Sequence, residues 1–288
     1  MGAADIVPGV SGGTMAFITG IYDRLLGSIR AFDLHCLRLL SRGRIARAWR
    51  HVDGGFLLAL LLGIFTSVLS LARLVSWLLE EYPVPLWAFF FGLILASALV
   101  LLRQVTCWTP ARALCLLLGL LVAAGIALSP VVALAPGLPG IFIAGFIAIC
   151  AMILPGISGS FILILLGMYG PVLNAVKNLD LEVMAVFALG AGLGLICFSR
   201  ILHWLLHHYH VATMALLTGF LFGSLLVVWP WKHALDWVLG SDGALRPVQQ
   251  IPVWPWNFAG ESLLLTCVVL MSIGFALVWL IDRRWGDG

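Results

Sequence analysis

The chain has 288 residues, 62% of them apolar and only 10% charged, and a formal net charge of +3. With a strongly positive mean hydropathy, this usage lies outside that of soluble domains and reads as a polytopic membrane protein. No nucleic-acid partner is expected, and the opening MGAADIVPGVSGG lacks the basic region and small-residue cleavage site of a signal peptide, so insertion is expected through the chain's own spans.

In chain order, the first apolar region, 1–27, is interrupted by PGVSGG and reads as a re-entrant helical hairpin. The loop that follows carries Arg30, Arg38, Arg42, Arg44, Arg47 and Arg50. Runs long enough to cross a hydrocarbon core of ~30 Å come next at 55–79, 84–102 and 112–133. A second broken region, 139–176, contains PGISGS; its arms of 16 or 17 residues are short for a full crossing, so it reads as a second hairpin. Spans at 183–206, 211–229 and 260–281 complete the chain. The loop 230–258 holds WPWKHALDWVLG and VWPWNF, an interfacial segment anchored by tryptophans and a candidate lid.

The basic residues set the orientation. With the first loop on the cytoplasmic side, twelve basic residues fall inside and three (Lys177, Lys232, Arg246) outside, while Arg73 lies within a span. Both termini are then cytoplasmic.

The chain repeats itself. At an offset of 147, Pro8, Gly9, Ser11, Gly12, Gly20, Tyr22 and Leu26 match Pro155, Gly156, Ser158, Gly159, Gly167, Tyr169 and Leu173. At an offset of 127, ARLVSWLLEEY (72–82) aligns with SRILHWLLHHY (199–209), and GLILAS (92–97) with GFLFGS (219–224). The shift of twenty between the offsets is the basic loop of the first half. The fold class is therefore an all-α polytopic membrane protein with an inverted repeat. Residues 1–135 and 136–288 each form a hairpin followed by three transmembrane helices. Such repeats are typical of secondary transporters, with sites near the midplane at discontinuous helices.

The breaks carry the candidate chemistry. Pro8, Gly9, Pro155 and Gly156 end one helix and let another begin. The restart at Gly12 or Gly159 offers free amides, with Ser11 or Ser158 placed to cap them, and suits an anion. The plainer reading is a sharp turn in a packed hairpin; duplication argues against it, since non-helical backbone at membrane depth is tolerated where it lines a cavity or is buried in protein. Arg73 and Arg200 occupy matched positions. They either snorkel, covered by Trp77 and Trp204 at i+4, or clamp phosphate oxygens with their planar forks.

Other features weigh less. Cys36, Cys107, Cys115, Cys150, Cys197 and Cys267 are scattered singly and read as apolar packers. His203, His207, His208 and His210 include an i, i+4 pair but no carboxylate, and read as a solvated flank rather than a metal site. Asp5 is a candidate for a coupling proton, although its aligned partner is Met152.

GAADIVPGVSGGTMAFITGIYDRLL and LPGISGSFILILLGMYGPVL resemble the two signature motifs of the bacterial polyprenyl-phosphate transporter family. The resemblance covers essentially the whole chain. It implies an inner-membrane translocase returning undecaprenyl phosphate, the lipid carrier of cell-wall precursors, from the outer to the cytoplasmic leaflet. By motif it implicates Pro8, Gly9, Ser11, Gly12, Gly13 and Thr14, with Pro155, Gly156, Ser158, Gly159 and Ser160. The family usually has a longer arm before its first motif than the seven residues preceding Pro8. No cofactor is implied, and coupling to H+ or Na+ and the oligomeric state are unspecified. From the residues alone, an anionic lipid or a small anion is the substrate class, and an ion-coupled transporter of a soluble anion would share the architecture. An intramembrane phosphatase would need a nucleophile beside a base, and only Asp5 and Asp23 lie near either motif.

Overall fold

The computed structural model describes Gly2 and residues 12–135, 137–239 and 245–285. The first described helices are α1 (Gly12–Ile18) and α2 (Tyr22–Arg30), hinged at Gly20 with φ +70°. The basic loop is itself folded into α3 (Leu34–Ser41) and α4 (Ile45–His51). Then come α5 (Gly54–Glu81), α6 (Pro83–Gln104) and α7 (Pro110–Leu128). Prolines at the first helical positions of α6 and α7 forfeit an amide that no helix would use there. Thr109 caps α7 by accepting from the Arg112 amide.

The second broken region gives α8 (Leu138–Ile153), α9 (Gly159–Leu165) and α10 (Tyr169–Lys177). The arm expected after the break is not one helix: α9 and α10 are bent by 112° at Gly167, whose φ is +66°. Next are α11 (Leu181–His208), capped by Asp180, and α12 (His210–Ser224). The span expected at 211–229 stops early, because residues 225–228 close turns and Pro230 cannot continue a helix. A two-stranded antiparallel hairpin, β1 (Lys232–Leu239) and β2 (Leu245–Pro252), occupies the tryptophan-rich loop, a local exception among described residues that are mostly helical. The last helix, α13 (Leu264–Trp285), starts later than expected.

Among the described residues, α5, α6, α7, α11 and α13 are long and apolar enough to cross a membrane. Large apolar side chains stand exposed along their outer faces, for example Leu58, Leu61, Leu62, Phe65 and Leu69 on α5. In a bilayer that is the expected solvent for them.

The matched sequences fold alike. At an offset of 127, α5 and α11 share both ends and α6 and α12 share their start; at 147, α1 and α2 share both ends with α9 and α10. Tyr82 turns the chain from α5 into α6 with φ −131° and ψ 54°, and Tyr209 turns it from α11 into α12 with φ −130° and ψ 44°. Trp77 meets the Tyr82 ring edge-on at 5.7 Å, and Trp204 meets Tyr209 at 5.7 Å in the same manner.

Helix pairs close through glycine. Gly92 and Gly274 bring α6 and α13 into backbone contact, and Gly119, Gly219 and Gly223 do so for α7 and α12. Small residues of this kind allow the close approach by which membrane helices associate. The central core, with Leu26, Ile94, Leu101, Leu202, Leu217 and Leu221 buried, lies between α2, α6, α11 and α12.

Candidate functional site

The site grows from the second break. Ile153 ends α8, Leu154 is extended, and Pro155 is fully buried without an amide to offer the ladder. Gly156 turns the chain with φ +86°. A Cβ there would stand 2.8 Å from Ser224 Oγ and 3.1 Å from the Phe220 carbonyl oxygen, so backbone and neighbours both demand glycine.

The described end of the first motif is bonded to this break at two points. The Gly156 amide donates to Thr14 Oγ1 at 2.9 Å. The Tyr22 hydroxyl donates to the Ile153 carbonyl at 3.0 Å in a buried setting. Gly12, Gly13 and Thr14 are all buried at the start of α1. Of the predicted residues, Asp5, Pro8, Gly9 and Ser11 lie outside the described ones.

One expectation is corrected. Ser158 holds the N-cap position of α9, with φ −96° and ψ 130°, yet its side chain makes no capping bond. Its Oγ lies 2.8 Å from Ser160 Oγ instead, since the second residue of the new helix supplies a hydroxyl within reach. Gly159 packs against the Ala148 carbonyl, with 2.9 Å left for a Cβ.

Arg73 and Arg200 are exposed on α5 and α11. Among the described residues neither forms an ion pair, a hydrogen bond or a contact with a ring face. The i+4 tryptophans are engaged elsewhere: Trp77 by Tyr82, and Trp204 by His208 and Tyr209. The tight helix corner swings each tyrosine onto its tryptophan, which displaces the expected arginine cover.

Sequence reasoning missed Ser97 and Ser224. Both are buried, and their hydroxyls bond back to Leu93 and Leu221 carbonyls at 2.6 and 2.8 Å. They end the matched hexapeptides 92–97 and 219–224, so the signal was present in the repeat. Among the described residues every buried side-chain nitrogen and oxygen has a partner, and no three His, Cys, Asp or Glu residues gather as a metal-binding set. His203 and His207 stack at 5.1 Å.

A non-helical segment, residues 154–158, thus meets the start of α1 within a bundle of apolar helices, braced by the Thr14 and Tyr22 hydroxyls. Polar backbone at that depth survives only where protein or a cavity satisfies it. Helices of spanning length around a buried backbone break define a multi-pass membrane protein of the transporter type. The chain belongs to the undecaprenyl phosphate translocase-like family, whose sequence profile matches residues 1–245. It is 49% identical over 287 residues to the polyprenyl-phosphate transporter of Vibrio cholerae serotype O1, covering 98% of this chain and 93% of that protein. It is 34% identical over 254 residues to the polyprenyl-phosphate transporter of Staphylococcus aureus, covering 80% and 83%. No solved structure matches the chain.

Proposed function

We propose that this protein is a flippase for polyprenyl phosphate, returning undecaprenyl phosphate from the outer to the cytoplasmic leaflet of the bacterial inner membrane. The bond from Gly156 to Thr14 carries the reading, because it joins the second break to the start of α1, and so the two glycine-rich motifs that would offer a phosphate backbone and hydroxyl donors. The names of both relatives support the substrate class.

In this reading residues 1–135 and 136–288 form an inverted repeat. The shared helix bounds and the twin tyrosine corners support it, and three spans after each hairpin would reverse the second half. The bend of 112° between α9 and α10 suits a re-entrant hairpin. The arginine-rich loop and Arg283 favour cytoplasmic termini.

The phosphate is held by Ser11, Gly12, Gly13 and Thr14 with Ser158, Gly159 and Ser160. Arg73 and Arg200, one toward each leaflet, receive and release it while the polyprenyl tail stays in lipid. Asp5 is the candidate for a coupling proton, and the coupling ion is left unassigned.

The test is flipping of a fluorescent polyprenyl phosphate in proteoliposomes. Arg73→Ala and Arg200→Ala should each slow it by about tenfold or more, as expected for loss of a charge-assisted phosphate contact. Full activity in both would sink the clamp, and uptake of inorganic phosphate in its place would identify a soluble-anion transporter.

A further inference from the structure

The first half contains residues 31–53 between its hairpin and its first long helix, where the second half has only 178–180. A loop whose sole task was to hold positive charge on one side of a membrane would need no structure. This one is folded. Asp33 caps α3 by accepting from the Cys36 amide at 2.8 Å, and Cys36, Ala48 and Val52 form a small core of its own. Arg24 bonds Asp53 at 2.7 Å and lies 4.4 Å over the Phe56 ring, tying the insertion to α2 and α5.

Within it the side chains sort by chemistry. Along α3, His35, Arg38 and Arg42 share one face, Leu34, Leu37 and Leu40 another. On the connecting turn and α4, Arg44, Arg47 and Arg50 join the first group, while Ile45 and Trp49 share the other face of α4 and stand exposed. The basic groups line one concave pocket of about 620 Å³. No carboxylate lines it. Asp33 is taken by His51 and the Cys36 amide, and Asp53 by Arg24. Five guanidiniums are thus gathered without a lining counter-charge, on a hairpin whose other helix faces expose Leu34, Leu37, Leu40, Ile45 and Trp49.

We propose that the α3–α4 hairpin lies in the membrane interface and that its arginine pocket binds the phosphomonoester headgroup of a lipid. The exposed leucines, Ile45 and Trp49 enter the acyl boundary as an interfacial amphipathic helix does. The guanidiniums, planar and multidentate, then surround a headgroup at that depth. A phosphomonoester, close to two negative charges near neutral pH, engages more of them than a phosphodiester with one. This pocket is separate from the Thr14–Gly156 contact and does not depend on the proposed transport.

The experiment is native mass spectrometry of the full-length protein in detergent, titrated with dioleoyl phosphatidic acid, dioleoyl phosphatidylglycerol or inorganic phosphate. Phosphatidic acid should bind about tenfold tighter than phosphatidylglycerol, the expected margin for added charge-assisted bonds. The triple variant Arg42→Gln, Arg47→Gln, Arg50→Gln should lose that binding, and Arg73→Gln with Arg200→Gln should keep it. The triple variant Arg42→Lys, Arg47→Lys, Arg50→Lys keeps the charge but not the planar forks, so it should keep binding with a reduced preference, which separates loss of charge from misfolding. Equal affinity for the two lipids, or binding indifferent to the triple glutamine change, would overturn the proposal. Displacement of the lipid by inorganic phosphate at equal concentration would do so too, since the pocket would then serve a free ion.

Discussion

The amide of Gly156 and the hydroxyl oxygen of Thr14 are 2.9 Å apart, although 142 positions separate the two residues in the chain. Thr14 is fully buried, so water offers the amide no substitute. Thr14→Val keeps the shape and removes the acceptor. It should cost about 1–3 kcal/mol, the penalty for a buried donor left unpaired, and lower the melting temperature in detergent. Thr14→Ser should stay close to the parent.

Gly156→Ala should be worse than a buried methyl usually is. A left-handed backbone costs an L-residue roughly 1–2 kcal/mol, and Ser224 Oγ must also move. Adding Ser224→Ala should return only the share due to Oγ, because the residue-224 Cβ at 3.0 Å, the Phe220 carbonyl at 3.1 Å and the backbone strain all remain. Melting temperatures of the single and double variants measure that share.

Lys232 gives a pH-dependent signature. Its Nζ donates to the Val227 carbonyl at 2.6 Å and sits 3.8 Å from the Trp87 ring centre. Burial pushes the ammonium from 10.5 down to about 7, while the Trp87 face pulls the other way. A released Lys232 holds its proton up to the ordinary value, and a docked one gives it up sooner. Docking of the β-hairpin therefore weakens as pH falls from about 10.5 towards about 7 and is flat below. Hydrogen exchange across 232–252 should follow that slope, and Lys232→Met should abolish it.

The repeated features were legible because they are written twice. Tyr82 and Tyr209 stand at matched positions and turn the chain with nearly the same angles, and the breaks at Pro155 and Gly156 fall where the proline and glycine require. Hydropathy alone misjudged the residues after Ser224. It weighs transfer into lipid and is blind to turns, so apolar Leu225–Trp229 looked like more helix. It was equally blind to β1 and β2, whose pairing is a matter of hydrogen bonds between strands. The folded arginine loop was read only as charge, since its capping aspartate and three-residue core are too small to stand out. Ser158 was misjudged because a cap depends on rotamer, and Ser160 competes for the same hydroxyl.

The glycine-lined pairs have a mechanical consequence. In both, α6 with α13 and α7 with α12, one helix comes from before residue 136 and its partner from after. Chain halves joined this way are clasped like the fingers of two hands. Rocking the amino-terminal half as one body against the carboxy-terminal half would open both pairs at once, whereas a movement carrying α6 with α13 and α7 with α12 opens neither. Fragments cut between α7 and α8 would each lack the surface that the other half covers, so they should be insoluble apart and assemble when made together.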